Sequence, residues 1–218
     1  MSTPITERLK LLPKHAYVGI NRKDPIRFYY WPVVGKLYRR RVELCLSESR
    51  GGQRVLEVGF GAGVTFPNLH EKYEQIHGLD LTADIKSLTE AWQSRGIPTD
   101  LRNGNVLDMP FPDDYFDTVL LISILEHLKP EHQPKAFSEI RRVLKPAGQV
   151  VYGVPVERPL MVVAFRLLGY NIREHHFSTE ADVREAAGRL LAQRRIILMK
   201  GRPSFTGAVY EVGHFAKT

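Results

Sequence analysis

The chain has 218 residues, of which 43% are hydrophobic and 25% charged, a composition typical of a globular domain with one sizeable core. Its single cysteine, Cys45, excludes an internal disulfide and suits a reducing compartment. No apolar run reaches the roughly 18–20 residues that span a bilayer, and residues 1–10 lack the apolar core of a signal peptide. We therefore expect a cytoplasmic protein, with peripheral membrane binding as a further expectation.

The net charge of +7 is concentrated at the amino terminus. Residues 1–50 hold eleven Lys or Arg and four acidic residues, whereas the remainder of the chain is balanced. Such an asymmetry predicts attraction to an anionic surface, either phospholipid or nucleic acid. We divide the chain into a basic, aromatic segment at 1–50 and a main domain at 51–218.

The first elements are mixed in character. Apolar and charged residues from Ile5 to Leu12 follow a loosely helical pattern that Pro13 ends, and a loop follows. Four aromatics at 28–31 then precede a helix predicted over 33–48. Aromatic rings interleaved with cations are typical of an interfacial membrane segment. The alternative is that Tyr29, Trp31 and Tyr38 pack this helix onto a sheet.

The stretch RVLEVGFGAG at 54–63 combines a buried strand with a glycine turn. Gly59, Gly61 and Gly63 predict a tight loop around a ligand, and a helix over 65–71 would point its N–H groups at that ligand. Val64 stands where a dinucleotide fingerprint requires Gly or Ala, which counts against a nicotinamide or flavin cofactor. Close packing alone is the alternative explanation of the glycines.

A second strand is predicted to end at Asp80, whose carboxylate could accept hydrogen bonds from a ribose diol. Asp80 could instead only begin the next helix, at 83–95, and a third strand follows at 99–103. The apolar run 116–122 is predicted to be a central fourth strand.

Ligands of an open α/β sheet collect beyond the carboxyl ends of its strands. This rule places Ser123, Glu126 and His127 at the reacting centre, with His127 as a candidate base or else a packing residue. A helix over 131–144 and a fifth strand over 149–154 come next.

The last third of the chain begins with an apolar stretch, 159–170, that could cover a greasy substrate, dip into a membrane surface or form a buried helix. His175 and His176 follow, and His176 is a second candidate catalytic residue. We expect no metal site, because adjacent residues on an extended strand point to opposite faces. A helix at 180–191 and a hairpin of two strands, 195–199 and 208–215, end the chain.

In order and spacing, the stretches VLEVGFGAG, GLD, GNVLDMPF, FDTVLLISILEHL and EIRRVLKPAGQVV resemble the motifs of class I S-adenosylmethionine-dependent methyltransferases over roughly residues 50–155. The resemblance implies a Rossmann-like, doubly wound α/β sheet of seven strands with an antiparallel carboxyl-terminal hairpin. It implies S-adenosylmethionine as cofactor, with the methionine end over the glycine loop and the ribose on Asp80. The implied cofactor-binding residues are Glu57, Gly59, Gly61, Gly63, Asp80, Leu81, Asn105, Val106 and Ile122.

The chain departs from the family pattern at two positions. Asn105 stands where an aspartate usually accepts the adenine amino group, but its amide oxygen is still an acceptor. Ala147 stands where a second glycine usually precedes Gly148. Family members often close the site with an amino-terminal lid, for which the candidate residues are Tyr17, Tyr29, Tyr30 and Trp31.

The basic segment, the aromatics and the 159–170 stretch together predict a small-molecule or lipid acceptor, similar to that of phospholipid N-methyltransferases or quinone-biosynthesis methyltransferases. No nucleic-acid partner is expected, because the fourth strand runs into Ser-Ile-Leu-Glu-His and not into an Asn or Asp followed by two prolines. The alternative is a non-catalytic binding module with the same fold, whose glycine loop would be occluded by side chains.

Overall fold

The computed structural model describes residues 7–19, 25–156, 176–201 and 207–218. The strands are β1 Gly52–Val58, β2 Tyr73–Asp80, β3 Thr99–Asn103, β4 Phe116–Ile122, β5 Leu144–Pro155, β6 Ala192–Lys200 and β7 Ala208–Ala216. The α-helices are α1 Val34–Glu48, α2 Phe66–Leu69, α3 Ile85–Gln93, α4 Gln133–Val143 and α5 Glu180–Leu190. Single 3₁₀ turns occupy Lys14–Ala16, Leu125–His127 and Pro130–His132, and a longer one spans Pro25–Tyr30.

The strands of these ranges form one seven-stranded sheet in the order β3-β2-β1-β4-β5-β7-β6. The first five strands in this order, β3, β2, β1, β4 and β5, are parallel to one another, whereas β7 pairs antiparallel with both β5 and β6. The predicted α/β fold with its antiparallel hairpin is therefore confirmed. Because the chain leaves β1 first towards β2 and later towards β4, the strand order reverses between β1 and β4. Ligands of open parallel sheets bind at the carboxyl side of such a reversal.

The core lies on both faces of the sheet, as the alternation of side chains along β1 requires. Val55 belongs to one apolar cluster and Leu56 to the other, and both are fully buried. The cluster around Val55 also contains Leu9 and Ile26. The amino-terminal residues that the structure describes thus share the core of the sheet, and α1 packs against β4, β5 and β7.

Several elements differ in extent from the sequence-based prediction. The backbone from residue 7 to Pro13 is not helical, because the N–H groups of Leu9 and Lys10 donate to the side chains of Glu43 and Asn68, at 3.1 and 2.9 Å. The helix predicted over 65–71 is a single turn. Strand β5 begins at Leu144 and not at 149, since Leu144 already pairs with Phe116 ahead of an irregularity in the ladder.

The apolar stretch 159–170, His175 and most of the loop between the last two strands lie outside the described residues. Across the described ranges, no helix has the length and apolar character needed to cross a bilayer.

Candidate functional site

The glycine loop between β1 and α2 turns sharply and is closely packed. Gly59, Gly61 and Gly63 all have positive φ, at 71°, 52° and 74°. A Cβ atom on Gly59 would lie 2.0 Å from Cδ1 of Ile124, and one on Gly63 would lie 2.6 Å from the Phe66 ring. Close packing by side chains therefore accounts for the glycines at 59 and 63, in addition to the turn that they allow.

Asp80 joins this loop to the end of β2. Its Oδ2 accepts a hydrogen bond from the Gly61 N–H at 3.3 Å, and its Oδ1 accepts from the N–H groups of Thr82 and Ala83 at 2.9 and 3.1 Å. The carboxylate thus holds both the glycine loop and the turn after β2. The two features on which the cofactor prediction depends are direct neighbours.

The rim beside Asp80 continues along the end of β3. The Gly104 N–H donates to the Asp80 carbonyl oxygen at 3.0 Å, which fixes this rim to β2. Leu81 is 69% exposed next to Asp80, whereas Val106 is buried. The Asn105 amide oxygen accepts the Leu107 N–H at 3.0 Å and keeps a second lone pair for another donor.

Glu57 lies at the end of β1 with only 4% of its surface exposed. Burial raises the pKa of its carboxyl group to about 8; the Thr65 hydroxyl, which donates a hydrogen bond, opposes this shift, and the nearby charge of Asp80 adds to it. The half-buried Ile122 lies one residue beyond Leu121, the register partner of Val58. Every residue predicted to bind the cofactor therefore lies at the carboxyl edge of β1 to β4, and the role of each stays a prediction.

The two candidate catalytic histidines are adjacent in space although 49 positions separate them in the chain. The ring centroids of His127 and His176 are 5.3 Å apart, and one ligand atom each from Glu126, His127 and His176 lie within 4.8 Å of one another. Glu126 is buried, His176 is half-buried and His127 is exposed. The sequence predicts that Glu126 and His127 lie at this edge. Their proximity to His176, which is distant in the chain, is visible only in the folded structure.

Residues that sequence reasoning missed stand on the β5 and β7 side of the site. The Tyr210 hydroxyl group hydrogen-bonds Ser123 Oγ at 2.9 Å, and Ser123 has a φ of 59°. The Arg41 guanidinium lies 3.9 Å from the ring centre of Tyr38 and 5.8 Å from that of Tyr210. No local pattern marks Tyr210 or Arg41, because strand β7 and helix α1 meet only in the folded chain.

The four candidate lid aromatics have different surroundings. Tyr17 and Tyr29 are buried, with Tyr17 edge-on to Trp92 at 6.1 Å. The Tyr30 hydroxyl donates to the Leu12 carbonyl oxygen, and Trp31 is half exposed. Tyr17 and Tyr29 thus contribute to the core, as the packing alternative proposed for Tyr29.

Two surface clefts of the described residues lie at the opposite edge of the sheet. One, of about 330 Å³, is lined by Asp113, Arg142 and Lys217 among others, and the second, of about 200 Å³, by Gly51, Asp117 and Gln149. Both adjoin the amino ends of β4 or β5, so neither belongs to the candidate site.

Comparison with known proteins gives a consistent result. Residues 56–152 match a protein family described as a methyltransferase domain. The chain is 33% identical over 185 residues to a phosphatidylethanolamine N-methyltransferase of Cereibacter sphaeroides, covering 82% of this chain and 86% of the relative. It is 32% identical over 143 residues to the ubiquinone/menaquinone biosynthesis C-methyltransferase UbiE of Vibrio campbellii, covering 60% of this chain. The match spans about half, 52%, of the length of that UbiE.

Solved structures share the fold at low sequence identity. The N-methyltransferase NodS of Bradyrhizobium japonicum, in complex with S-adenosyl-L-homocysteine, superposes with a TM-score of 0.67 at 17% identity, covering 91% of this chain and 94% of NodS. A geranyl diphosphate methyltransferase in complex with geranyl diphosphate and sinefungin gives a TM-score of 0.67 at 16% identity, covering 85% and 81%.

Proposed function

The chain belongs to the class I S-adenosylmethionine-dependent methyltransferases, and we propose that it methylates a lipid or small-molecule acceptor, specifically the amine of an aminophospholipid. The observation that carries the activity is the contact between the glycine loop and Asp80, which fits the cofactor of this family. The acceptor proposal is supported by the relative that aligns over nearly its whole length, a phosphatidylethanolamine N-methyltransferase.

The described residues fit S-adenosylmethionine in their chemistry. The Asp80 carboxylate offers acceptors to the ribose hydroxyl groups, and the exposed Leu81 offers apolar surface to the adenine. Asn105 has an acceptor for the adenine amino group. The cofactor supplies an electrophilic methyl group on a sulfonium. What the chain contributes is mainly alignment of donor and acceptor, which can lower a barrier by roughly 7–11 kcal/mol.

Arg41 suits an acceptor that carries a phosphate. Its Nε atom is buried and has no hydrogen-bond partner among the described residues, although the guanidinium group lies against two tyrosine rings. A guanidinium group that keeps an open donor binds a phosphodiester well. Tyr210 and Ser123 connect Arg41 to the carboxyl end of β4, where the ammonium group of the same lipid would meet the methyl donor.

An ammonium group must lose a proton before it can attack a methyl group. We assign this deprotonation to the cluster of His127 and His176, the two histidines at the carboxyl edge of β4.

The experiment is a transfer assay with labelled S-adenosylmethionine on phosphatidylethanolamine vesicles, a quinol precursor and RNA. We expect label in the phospholipid. Label in the quinol alone would instead favour a C-methyltransferase such as the UbiE relative. Label in RNA alone would contradict a lipid or small-molecule acceptor. Binding of the cofactor without transfer to any acceptor would favour a non-catalytic binding module. Replacing Arg41 with methionine should raise KM for the phospholipid and leave the affinity for the cofactor unchanged, because we place Arg41, against Tyr38 and Tyr210, on the acceptor side of the site.

We also propose that residues 1–50 bind an anionic membrane surface and close the site as a lid. Three large apolar side chains near the start of α1, Trp31, Val33 and Leu37, are 50%, 80% and 45% exposed, and the exposed Lys36 stands among them. We call Trp31, Val33 and Leu37 the apolar patch. An apolar patch beside cations is what an interfacial segment requires.

Binding to vesicles is expected to rise with the anionic lipid content and to fall with salt. Replacing Leu37 with serine should weaken binding about tenfold, since transfer of a leucine side chain from water is worth roughly 1.5 kcal/mol or more. The matched control is Leu198→Ser, which removes a 53% exposed leucine from the edge strand β6. Equal binding of both variants, or equal binding to neutral vesicles, would contradict the proposal.

A further inference from the structure

Three side chains with metal-binding atoms meet beyond the carboxyl end of β4. Glu126 and His127 come from the 3₁₀ turn Leu125–His127, and His176 comes from the segment that precedes α5. The adjacent pair His175 and His176 does not by itself predict a metal site, because neighbouring residues on an extended strand point to opposite faces. The structure instead brings His176 to a histidine and a carboxylate from a different part of the chain.

We propose that Glu126, His127 and His176 bind a divalent transition-metal ion. Their ligand atoms lie within 4.8 Å of one another. Two ligands that are each 2.0–2.2 Å from one ion are separated by roughly 3–4 Å. Side-chain movements of about 1–2 Å are therefore sufficient to bring the three ligand atoms to these separations.

The backbone holds the two segments in register without any ion. The Glu126 carbonyl oxygen accepts the Phe177 N–H at 2.8 Å and the Ser178 N–H at 3.3 Å. The Ser178 hydroxyl donates to the Leu128 carbonyl oxygen at 2.7 Å. His176 thus directly precedes Phe177, whose N–H group is bonded to Glu126 in the other segment. A site whose backbone is ordered in advance loses little conformational entropy when it binds an ion.

The donor set selects the class of metal. Two imidazole nitrogens and one carboxylate oxygen suit Zn²⁺, Mn²⁺, Fe²⁺, Co²⁺ or Ni²⁺, whereas Mg²⁺ and Ca²⁺ prefer oxygen ligands alone. Three protein ligands leave at least one coordination position open for water or for an oxygen of an acceptor. Glu126 is buried, and a carboxylate oxygen is a common ligand of these ions beside imidazole nitrogens.

The location connects the ion to the acceptor side of the site. Glu126 is close enough to Tyr210 for its charge to act on the phenol, and Tyr210 in turn hydrogen-bonds Ser123 at the end of β4. With a metal bound, the two imidazoles are ligands and cannot accept a proton, so the deprotonation assigned to them above applies to the metal-free chain. The metal site itself does not depend on the proposed methyl transfer.

The experiment is a titration of the chelator-treated full chain with Co²⁺, followed by visible absorption, and with Zn²⁺, followed by calorimetry, both without cofactor or acceptor. We expect one ion per chain. His127→Asn and His176→Asn should each weaken binding by more than about 100-fold, because loss even of a residue that only orients a ligand costs roughly 10–100-fold.

His132→Asn is the matched control, since His132 is an exposed histidine in the next 3₁₀ turn and outside the cluster. Its affinity for both ions should equal that of the wild type. Binding that survives the double change of His127 and His176, or the absence of stoichiometric binding by the wild type, would overturn the proposal. Because His127 is exposed, His127→Asn is expected to fold, which circular dichroism checks. Failure of the methyl-transfer assay would leave this result unaffected.

Discussion

Replacing Asp80 with alanine is expected to weaken binding of S-adenosylmethionine by about 100- to 1000-fold, or roughly 3–4 kcal/mol. A hydrogen bond to a charged group contributes roughly 1.5–3 kcal/mol, and the carboxylate offers acceptors to two ribose hydroxyl groups. The same carboxylate accepts the N–H groups of Gly61, Thr82 and Ala83. The substitution therefore also loosens the glycine loop on which the methionine end of the cofactor would lie. Calorimetry with the cofactor measures the loss.

A matched control stands four residues further on. Asp84 is an exposed carboxylate that caps α3 by accepting the Ser87 N–H, so Asp84→Ala should cost about 1 kcal/mol of stability and leave the cofactor affinity unchanged. Asp80→Asn keeps one acceptor oxygen and should fall between the wild type and Asp80→Ala. If Asp80→Ala binds the cofactor within about twofold of the wild type, the ribose is held elsewhere and the proposed site is wrong.

The fold and the cofactor edge could be predicted because their signals are local. The apolar run of β4 predicts a central strand. The glycine turn after β1, followed by a second strand that ends at Asp80, predicts the ligand-binding edge of the sheet. The alternation of strands and helices then leaves few topologies, since parallel connections are right-handed. These rules need no knowledge of the side chains that meet across the sheet.

The acceptor side could not be predicted in the same way, because its residues are distant in the chain. Arg41 reaches Tyr210 from α1 across 169 positions, and His127 meets His176 only because Ser178 and Phe177 bond to the turn after β4. The roles of Gly59 and Gly63 are a further case. The packing partner of Gly59, Ile124, lies 65 positions away in the chain, whereas that of Gly63, Phe66, is only three positions on and could have been considered from the sequence.

The buried carboxyl group of Glu57 leads to the second large effect, on the stability of the fold. Its pKa rises from an ordinary value of 4.5 to about 8, chiefly because burial disfavours the charged form. The folded state therefore binds a proton more tightly than the unfolded chain. The resulting stabilisation is complete below about pH 4.5 and is lost as the pH rises through about 8, by roughly 4–5 kcal/mol.

Glu57→Gln should remove this component, because glutamine stays neutral and keeps an acceptor oxygen for the Thr65 hydroxyl group. Urea denaturation in steps between pH 5 and pH 9 measures it: the free energy of unfolding of the variant should lose less with rising pH, and the variant should be the more stable protein at pH 9. The control is Glu139→Gln. Glu139 accepts hydrogen bonds from Arg142 and from the Met109 N–H group, and these bonds lower its pKa despite its burial. The stability that the Glu139 carboxylate contributes is therefore lost only as the pH falls below the ordinary pKa of a glutamate. Glu139→Gln should be destabilised by a constant amount over the same pH interval. If the free energy of unfolding changes with pH equally in the wild type and in Glu57→Gln, then Glu57 is ionised in the folded protein at neutral pH.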